Sequence, residues 1–424
     1  MSMKSRYGIC LLLFFTLTGL LRSGESTGLN FFGSIQAILL QENGKADFSV
    51  QSMEVDSLQT IESSFSNSRA SFAVQQMDLF FSKNISDDFS AFVDLEFLLN
   101  FSSKNDWGYI NLEEAWVRYN PSEKFNVQAG LLFPKFNGMN EIKNRLFLFP
   151  YIVRPVIYEQ ALTNMNMNTD VVPERAFLQI SGFFPLDGIK LDYAAYMGNL
   201  ETSYISTNTK DDDGPKDNKN NNTPSDLLSG LDSKNINYKL FGCRLGVFNA
   251  DETFRFGVSM TYDYDNRNDS TSDVFGVRQP PLGDVPRVRI GSDVFYCLWD
   301  FDIEAEYINV FYNYTPPDSL DLNFGGQEYF FATLTYNIFE NLCFYGNYSF
   351  RSDKNYNYDL KTFGFGSCYR VNEDISLKIQ YVNYNVKMER EVFRDWGPEN
   401  RHVRAVEETK NVLNYLIVGI SAKF

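Results

Sequence analysis

The sequence predicts an all-β fold: a transmembrane antiparallel β-barrel of sixteen strands. Three observations carry that reading. The last stretch, NVLNYLIVGISAKF, sets Leu416, Val418, Ile420, Ala422 and Phe424 against Ile417, Gly419, Ser421 and Lys423, the period of two of a strand with one apolar face. Segments of the same period recur along the chain, and the connections between them alternate short and long, the asymmetry of a membrane barrel with tight turns on one side and loops on the other. Beyond the N-terminal region no segment has eighteen consecutive apolar residues, which excludes a helical membrane protein. A final strand in hydrocarbon cannot keep an open edge, because each unpaired backbone group there costs several kcal/mol, so it is expected to close on the first strand.

Taken in order, the chain opens with Lys4 and Arg6, the apolar run GICLLLFFTLTGLL and the polar RSGESTG. That is the pattern of a secretory signal peptide, expected to span residues 1–26; the run is short of the roughly 20 residues an anchor needs. Its removal takes away Lys4, Arg6 and Arg22 against Glu25 alone, so the exported chain is more acidic than the −16 of the whole. With no basic tract to neutralise phosphates, nucleic acid is excluded as a partner. Residues 27–424 are expected to form one barrel.

The predicted strands are 31–40, 69–81, 88–99, 109–119, 125–133, 174–184, 189–197 and 236–248 in the first half. They continue at 253–265, 286–298, 301–312, 327–338, 341–351, 357–369, 373–387 and 411–424. Phe125, Val127, Ala129, Leu131 and Phe133 alternate with Asn126, Gln128 and Gly130; Phe254, Phe256, Val258, Met260 and Tyr262 alternate with Arg255, Gly257, Ser259, Thr261 and Asp263. Strand 109–119 is less regular, since Glu113 and Glu114 cannot both face one way in an ideal strand; Glu114 and Arg118 are assigned inward and Glu113 to a rim. Two connections stand out by length. Residues 134–173 hold enough Phe, Tyr, Ile and Pro to pack against something, whereas 199–235, with KDDDGPKDNKNNNTPSD, reads as a flexible solvated loop on the outside.

Little in the chain supports catalysis. His402 is the single histidine and is expected in the last outer loop among Arg401, Arg404, Glu407 and Glu408. No nucleophile elbow or glycine-rich phosphate loop occurs, and the DDDG at 211–214 lacks the ligand spacing of a calcium loop. The protein is therefore expected not to be an enzyme and to need no cofactor or metal. The polar faces carry another kind of chemistry. A charge on the lipid side costs about 2–4 kcal/mol at mid-depth, so the alternation assigns Asp94, Glu96, Glu114, Arg118, Lys190, Asp192, Arg255, Asp263, Arg287, Arg289, Asp302, Glu304 and Glu306 to the lumen. Both signs on opposing walls would screen solutes by charge; simple lining of a wet channel is the alternative. A cation preference follows if Asp302, Glu304 and Glu306 dominate, and an anion preference if Arg287, Arg289 and the loop arginines do.

Four cysteines remain beyond the leader, at 243, 297, 343 and 368, with no zinc spacing. Counting away from the turn near residue 355 brings Cys343 opposite Cys368 on the lumen face. A disulfide between them and two free thiols are both open, because directly opposed Cβ atoms sit about 4.5–5.5 Å apart and a disulfide prefers about 3.5–4.5 Å.

A terminal Phe such as Phe424 resembles the assembly signal of bacterial outer-membrane β-barrels. Sixteen strands with a long third outer connection resemble the porin fold, in which that loop folds inward and narrows the channel. The segment LEEAWVRY, a short turn, then FNVQAGLLFPKFNG at 112–138 is similar to the Leu-Glu-Glu-Ala…Gly…Pro-Phe-Gly segment of proteins related to phosphate-selective porins, departing from it at Phe136-Asn137-Gly138. The basic ladder of phosphate selectivity is missing. The resemblance implies a constriction loop at 134–173 with Lys135, Glu141, Lys143, Arg145, Arg154 and Glu159 as its charged residues, Arg145 and Arg154 turned toward solutes. It implies passive diffusion of small hydrophilic solutes or ions across the outer membrane of a Gram-negative bacterium, contact with outer-membrane lipid and the barrel assembly machinery, and a homotrimer as one assembly. The alternative reading is a surface-exposed barrel whose loops bind a host, phage or partner protein.

Overall fold

In the computed structural model sixteen strands pair in sequence order around a ring that closes on itself. The structure describes residues 28–54, 57–100, 109–159, 171–199, 239–265, 285–313, 326–354, 358–396 and 401–424. The expected leader at 1–26 lies outside them, as does the loop 199–235 apart from Asn199. The strands are β1 (Asn30–Glu54), β2 (Ser57–Asn84), β3 (Phe89–Asn100), β4 (Tyr109–Ser122), β5 (Phe125–Leu132), β6 (Ala176–Leu186), β7 (Ile189–Asn199) and β8 (Lys239–Asn249). The second half comprises β9 (Phe254–Asp265), β10 (Val285–Leu298), β11 (Phe301–Tyr312), β12 (Gln327–Phe339), β13 (Leu342–Asp353), β14 (Tyr358–Arg370), β15 (Ile375–Trp396) and β16 (Arg401–Lys423).

Closure is antiparallel, β1 against β16, from Ser34 opposite Lys423 to Ser52 opposite Ala405. Phe424 completes the seam: its N–H donates to the Gly33 carbonyl at 3.0 Å and its carbonyl accepts from the Gly33 N–H at 2.8 Å. The Phe424 ring lies where a side chain on Gly33 would be, 2.7 Å from the position of an added Cβ, so the close approach requires glycine there.

Alternation sorts the two faces as hydrocarbon demands. Leu416, Val418 and Ile420 are exposed on the outside while Ile417 and Ser421 are buried on the inside. Exposed aromatics gather at the short-turn rim, among them Phe31, Phe89, Tyr119, Phe254, Trp299, Phe301, Phe339, Phe344 and Phe424. In β9 the outward Phe254 and Tyr262 lie eight residues apart, about 26 Å along the strand at about 3.3 Å per residue. At a tilt of about 40° that is roughly 20 Å of depth, close to the apolar band of an outer-membrane barrel.

Two differences from the sequence reading concern the strands themselves. The expected connections at 41–68 and 388–410 are largely strand: β1 and β2 stay in register out to Glu54 opposite Ser57, and β15 and β16 out to Trp396 opposite Arg401. Unbroken pairing satisfies their polar backbone, and because these sequences do not alternate regularly, hydropathy cannot reveal it. His402 accordingly lies in β16, opposite Asp395, and not in a loop. The second difference is a pair of bulges. Opposite β3, Asp94 pairs with Glu114 and Leu95 with Leu112, leaving Glu113 over; opposite β1, Gln36 pairs with Gln76 and Ala37 with Val74, leaving Gln75 over. An extra residue restores the same facing twice in succession. Glu113 and Glu114 are therefore both buried inside, as are Gln75 and Gln76, which corrects the assignment of Glu113 to a rim.

Candidate functional site: the lumen wall and the segment that crosses it

All thirteen charged residues assigned inward lie on the inner face. Asp94, Glu96, Glu114, Asp192, Asp263, Arg287, Arg289 and Glu306 are buried; Arg118, Lys190, Arg255, Asp302 and Glu304 are half-buried. They do not act as isolated charges. Arg287 grips Asp263 through two bonds of 2.8 and 2.6 Å, and Arg289 reaches the same carboxylate at 3.2 Å. On the neighbouring strands Arg244 forms a two-pronged pair with Asp293 and approaches Asp192 at 3.6 Å. Lys190 pairs with Glu252 near the short-turn rim. The β7–β10 wall is thus a lattice of alternating signs, with Arg255 at 3.9 Å from Asp293 at its inner edge.

The β2–β4 wall is acidic and poses a problem that the chain solves from within. Asp78 stands directly across from Glu96, and Asp94 across from Glu114. Like charges directly opposed destabilise a sheet. Arg145, from the segment between β5 and β6, enters this wall and bonds Glu114 at 2.9 Å and lies 3.5 Å from Asp94. Its guanidinium rests on the Phe80 and Phe92 rings, 4.4 and 5.1 Å from their centroids. Arg175 closes on Glu113 at 2.7 Å, and Asn144 donates to the same carboxylate at 3.2 Å.

The rest of that segment runs across the barrel. At its start the Lys135 N–H donates to Gln179 on β6, and the Asn137 N–H to Ser259 on β9. Asn137, at φ 54°, leans onto β10 at Gly291, where an added Cβ would fall 2.3 Å from its side-chain oxygen. Glu306 on β11 accepts from the Met139 N–H and from the Tyr158 hydroxyl, both at 2.8 Å. β3 and β11 are eight strands apart in a ring of sixteen, so a segment bonded to both spans the lumen. Its tip is held at the seam. Gln380 on β15 accepts from the N–H groups of Ile152 and Val153 at 2.8 and 2.7 Å, while Gln36 and the bulged Gln75 both donate to the Ile152 carbonyl at 3.2 Å. Lys378 donates to the carbonyls of Leu146 at 3.0 Å and Tyr151 at 3.5 Å.

Apolar packing completes the crossing. Phe136, Met139, Tyr151 and Tyr158 form one cluster with Ile308, Tyr329, Phe331 and Tyr345 of the β11–β13 wall; Ile152 and Val153 form another with Ile38, Val382 and Ile417 at the seam. Of the six charged residues expected in this loop, Lys143, Arg145, Arg154 and Glu159 are buried and Lys135 and Glu141 are half-buried. Arg145 and Arg154 do not face solutes: the first neutralises the acidic wall, and the second ties the segment to itself through the Lys143 carbonyl at 2.9 Å, Asn144 at 3.1 Å and Glu159 at 3.7 Å. Cys343 and Cys368 stand opposite each other on the lumen face as counted, and both are free thiols, not a disulfide.

The sequence reading passed over Asp78, Arg244 and Asp293, although all three share the inward parity of residues already assigned. It also passed over Gln36, Gln75, Lys378 and Gln380, whose role depends on partners more than a hundred residues away in most cases. Among the described residues no group of three or more His, Cys, Asp or Glu side chains gathers to hold a metal ion.

No protein-family model matches the sequence, and no curated protein matches it. Solved structures do resemble the fold. An anion-selective porin from Comamonas acidovorans aligns at a TM-score of 0.53 and 13% identity, over 94% of this chain and 99% of that one. The outer-membrane channel DcaP of Acinetobacter baumannii aligns at 0.49 and 13%, over 94% and 97%, and OmpF of Salmonella typhi, in complex with daunomycin, at 0.46 and 13%, over 93% and 97%. The fold is that of a porin-like, sixteen-stranded β-barrel.

Proposed function

We propose that the protein is a non-enzymatic porin of the cell outer membrane that lets small hydrophilic solutes or ions diffuse passively, with the described part of residues 134–173 as its restriction. One observation carries the reading: a closed barrel whose outer face is apolar keeps both signs of charge on its inner face and threads a bonded segment between opposite walls. Water and ions are the natural guests of such an interior, and the segment leaves them less room. On the β7–β11 side the acidic groups, Asp192, Asp263, Asp293, Asp302, Glu304 and Glu306, outnumber Lys190, Arg244, Arg255, Arg287 and Arg289 by one, which favours a weak preference for cations. Planar-bilayer recording tests the reading: the folded protein gives ohmic channels, and deletion of 139–158 raises the unit conductance. A folded barrel that conducts nothing, before and after the deletion, would sink it.

A second reading, a surface that binds a partner protein, draws on the β15–β16–β1–β2 sheet. Among the described residues, 57–73 of β2 pair with β1 and not with β3, whose last partner is Val74, and about 55 Å of strand at about 3.3 Å per residue continues past that point. Trimming 45–65 in a strain that depends on the protein separates the two readings: lost partner capture with unchanged conductance would favour the second.

A further inference from the structure

Cys343 and Cys368 differ from the other cysteines in being buried side by side on the lumen face, near the short turns. The bond from the Arg370 N–H to the Asn341 carbonyl, 2.8 Å, marks 341 and 370 as a hydrogen-bonded pair of the β13–β14 ladder. The same type recurs two residues on, at 343 and 368. Such pairs hold their Cα atoms about 5.5 Å apart and their Cβ atoms toward the wide end of about 4.5–5.5 Å, whereas disulfide Cβ atoms lie about 3.8 Å apart. The spacing opposes a direct S–S bond but suits an atom held between two sulfurs. The thiols are already within hydrogen-bonding reach of each other, and Ser376 bonds Cys368.

The surroundings supply positive charge on the same face. Lys378 stands directly opposite Cys368 on β15, and Arg370 adds a second positive charge near both thiols. No third thiolate, imidazole or carboxylate joins them among the described residues. An ion taken up here must therefore accept two soft ligands in a line. Zinc asks for four ligands, and calcium and magnesium ask for oxygens; monovalent d10 ions accept two thiolates.

We propose that Cys343 and Cys368 form a two-thiolate site for a soft, thiophilic cation of the Cu(I) and Ag(I) class. Binding makes two S–metal bonds and breaks two S–H bonds: two thiols and one M⁺ give an S–M–S anion of charge −1 and two protons released to water. Lys378 balances that charge. Because its ammonium also donates to the carbonyls of Leu146 and Tyr151, and Tyr345 on the Cys343 face meets the Tyr151 ring edge-on at 6.0 Å, the site adjoins the anchor of the crossing segment.

The test uses the full chain folded in detergent, on a Cys243→Ser/Cys297→Ser background. Ag(I), which does not oxidise thiols, and Cu(I) kept reduced by ascorbate are titrated against a chromophoric chelator. One ion binds per chain with two protons released, Zn(II) does not compete, and affinity falls by roughly 100-fold or more in Cys343→Ser or Cys368→Ser, since one of two soft bonds is lost. Equal affinity in either variant overturns the site. A second arm needs no variant: in the wild-type protein Ag(I) shields Cys343 and Cys368 from alkylation with one common midpoint. Independent midpoints, no shielding, or a 343–368 crosslinked peptide from protein handled in air also overturns it. Neither arm depends on transport, so failure of the channel reading leaves this result legible.

Discussion

Replacing Gln380 by leucine removes one atom's worth of chemistry from the seam. The Gln380 Oε1 accepts two backbone N–H groups, those of Ile152 and Val153, and the site is buried. Leucine keeps most of the volume but leaves both donors without a partner at the barrel wall. A buried polar group left unsatisfied costs about 1–3 kcal/mol, so the anchored state loses about 2–6 kcal/mol relative to one in which the tip has swung free. At about 1.4 kcal/mol per factor of ten, the released population rises by about 30-fold at the low end and on the order of 10⁴-fold at the high end. β15 itself is untouched, because its own ladder bonds do not involve the side chain. Hydrogen exchange of the folded protein in detergent reads the change: the amides of 152 and 153 accelerate while those of β15 and β16 keep their protection. Bilayer recording of the same variant shows larger or noisier unit conductance. Unchanged protection at 152–153 in a correctly folded Gln380→Leu barrel would refute the idea that this side chain holds the crossing segment.

Arg145→Met leaves Asp94 and Glu114 buried and opposed without their shared cation; losing one partner of a buried pair costs about 3–5 kcal/mol, and a drop in urea midpoint measures it. The double change Arg145→Met/Asp94→Asn recovers part of that loss, which distinguishes charge from packing. Deleting Phe424 removes both backbone bonds to Gly33 and impairs assembly, seen as loss of the heat-modifiable band, more than deletion of 211–222 does; equal assembly would show that the terminal residue is dispensable. Gly33→Leu, which cannot coexist with the Phe424 ring in its present place, gives the same defect in milder form. Asp302→Asn/Glu304→Gln shifts the reversal potential across a KCl gradient toward anions, and an unchanged potential would mean that these carboxylates do not face the ion path.

The ring of sixteen strands was legible because its physics is local: a period of two, turns of few residues, and a charge penalty that forces polar parity inward. The facing of Cys343 and Cys368 followed from counting alone. Where the chain departs from that period, the reading failed. Glu113 and Gln75 turn inward only because a bulge inserts one residue, and nothing in the hydropathy of LEEAWV or AVQQMD distinguishes a bulge from an irregular strand. The same holds for the extensions of β1, β2, β15 and β16, whose sequences show no regular alternation of apolar and polar residues. Arg145 and Arg154 were misjudged for another reason. A charge in a long connection looks solvated until the acidic strands it meets are known, and Asp94, Glu114 and Arg145 come together only through tertiary closure.

The strands of the wall are far from equal, and a closed cylinder is as strong as its thinnest stave. β15 and β16 hold each other from Ile375 opposite Ala422 to Trp396 opposite Arg401. β5 has eight residues, meets β6 only between Asn126 opposite Ser181 and Leu132 opposite Ala176, and slips register on both sides. The β15–β16 joint, like the still longer one between β1 and β2, is therefore among the toughest, and rupture under load or heat should begin at the β5 stave. The crossing segment springs from the end of that same stave and returns at the start of β6, bracing from inside the place where the hoop is narrowest. A tether pulled between residues 126 and 181 should part at a lower force than one pulled between 378 and 419, and cutting the brace at 139–158 should widen the gap.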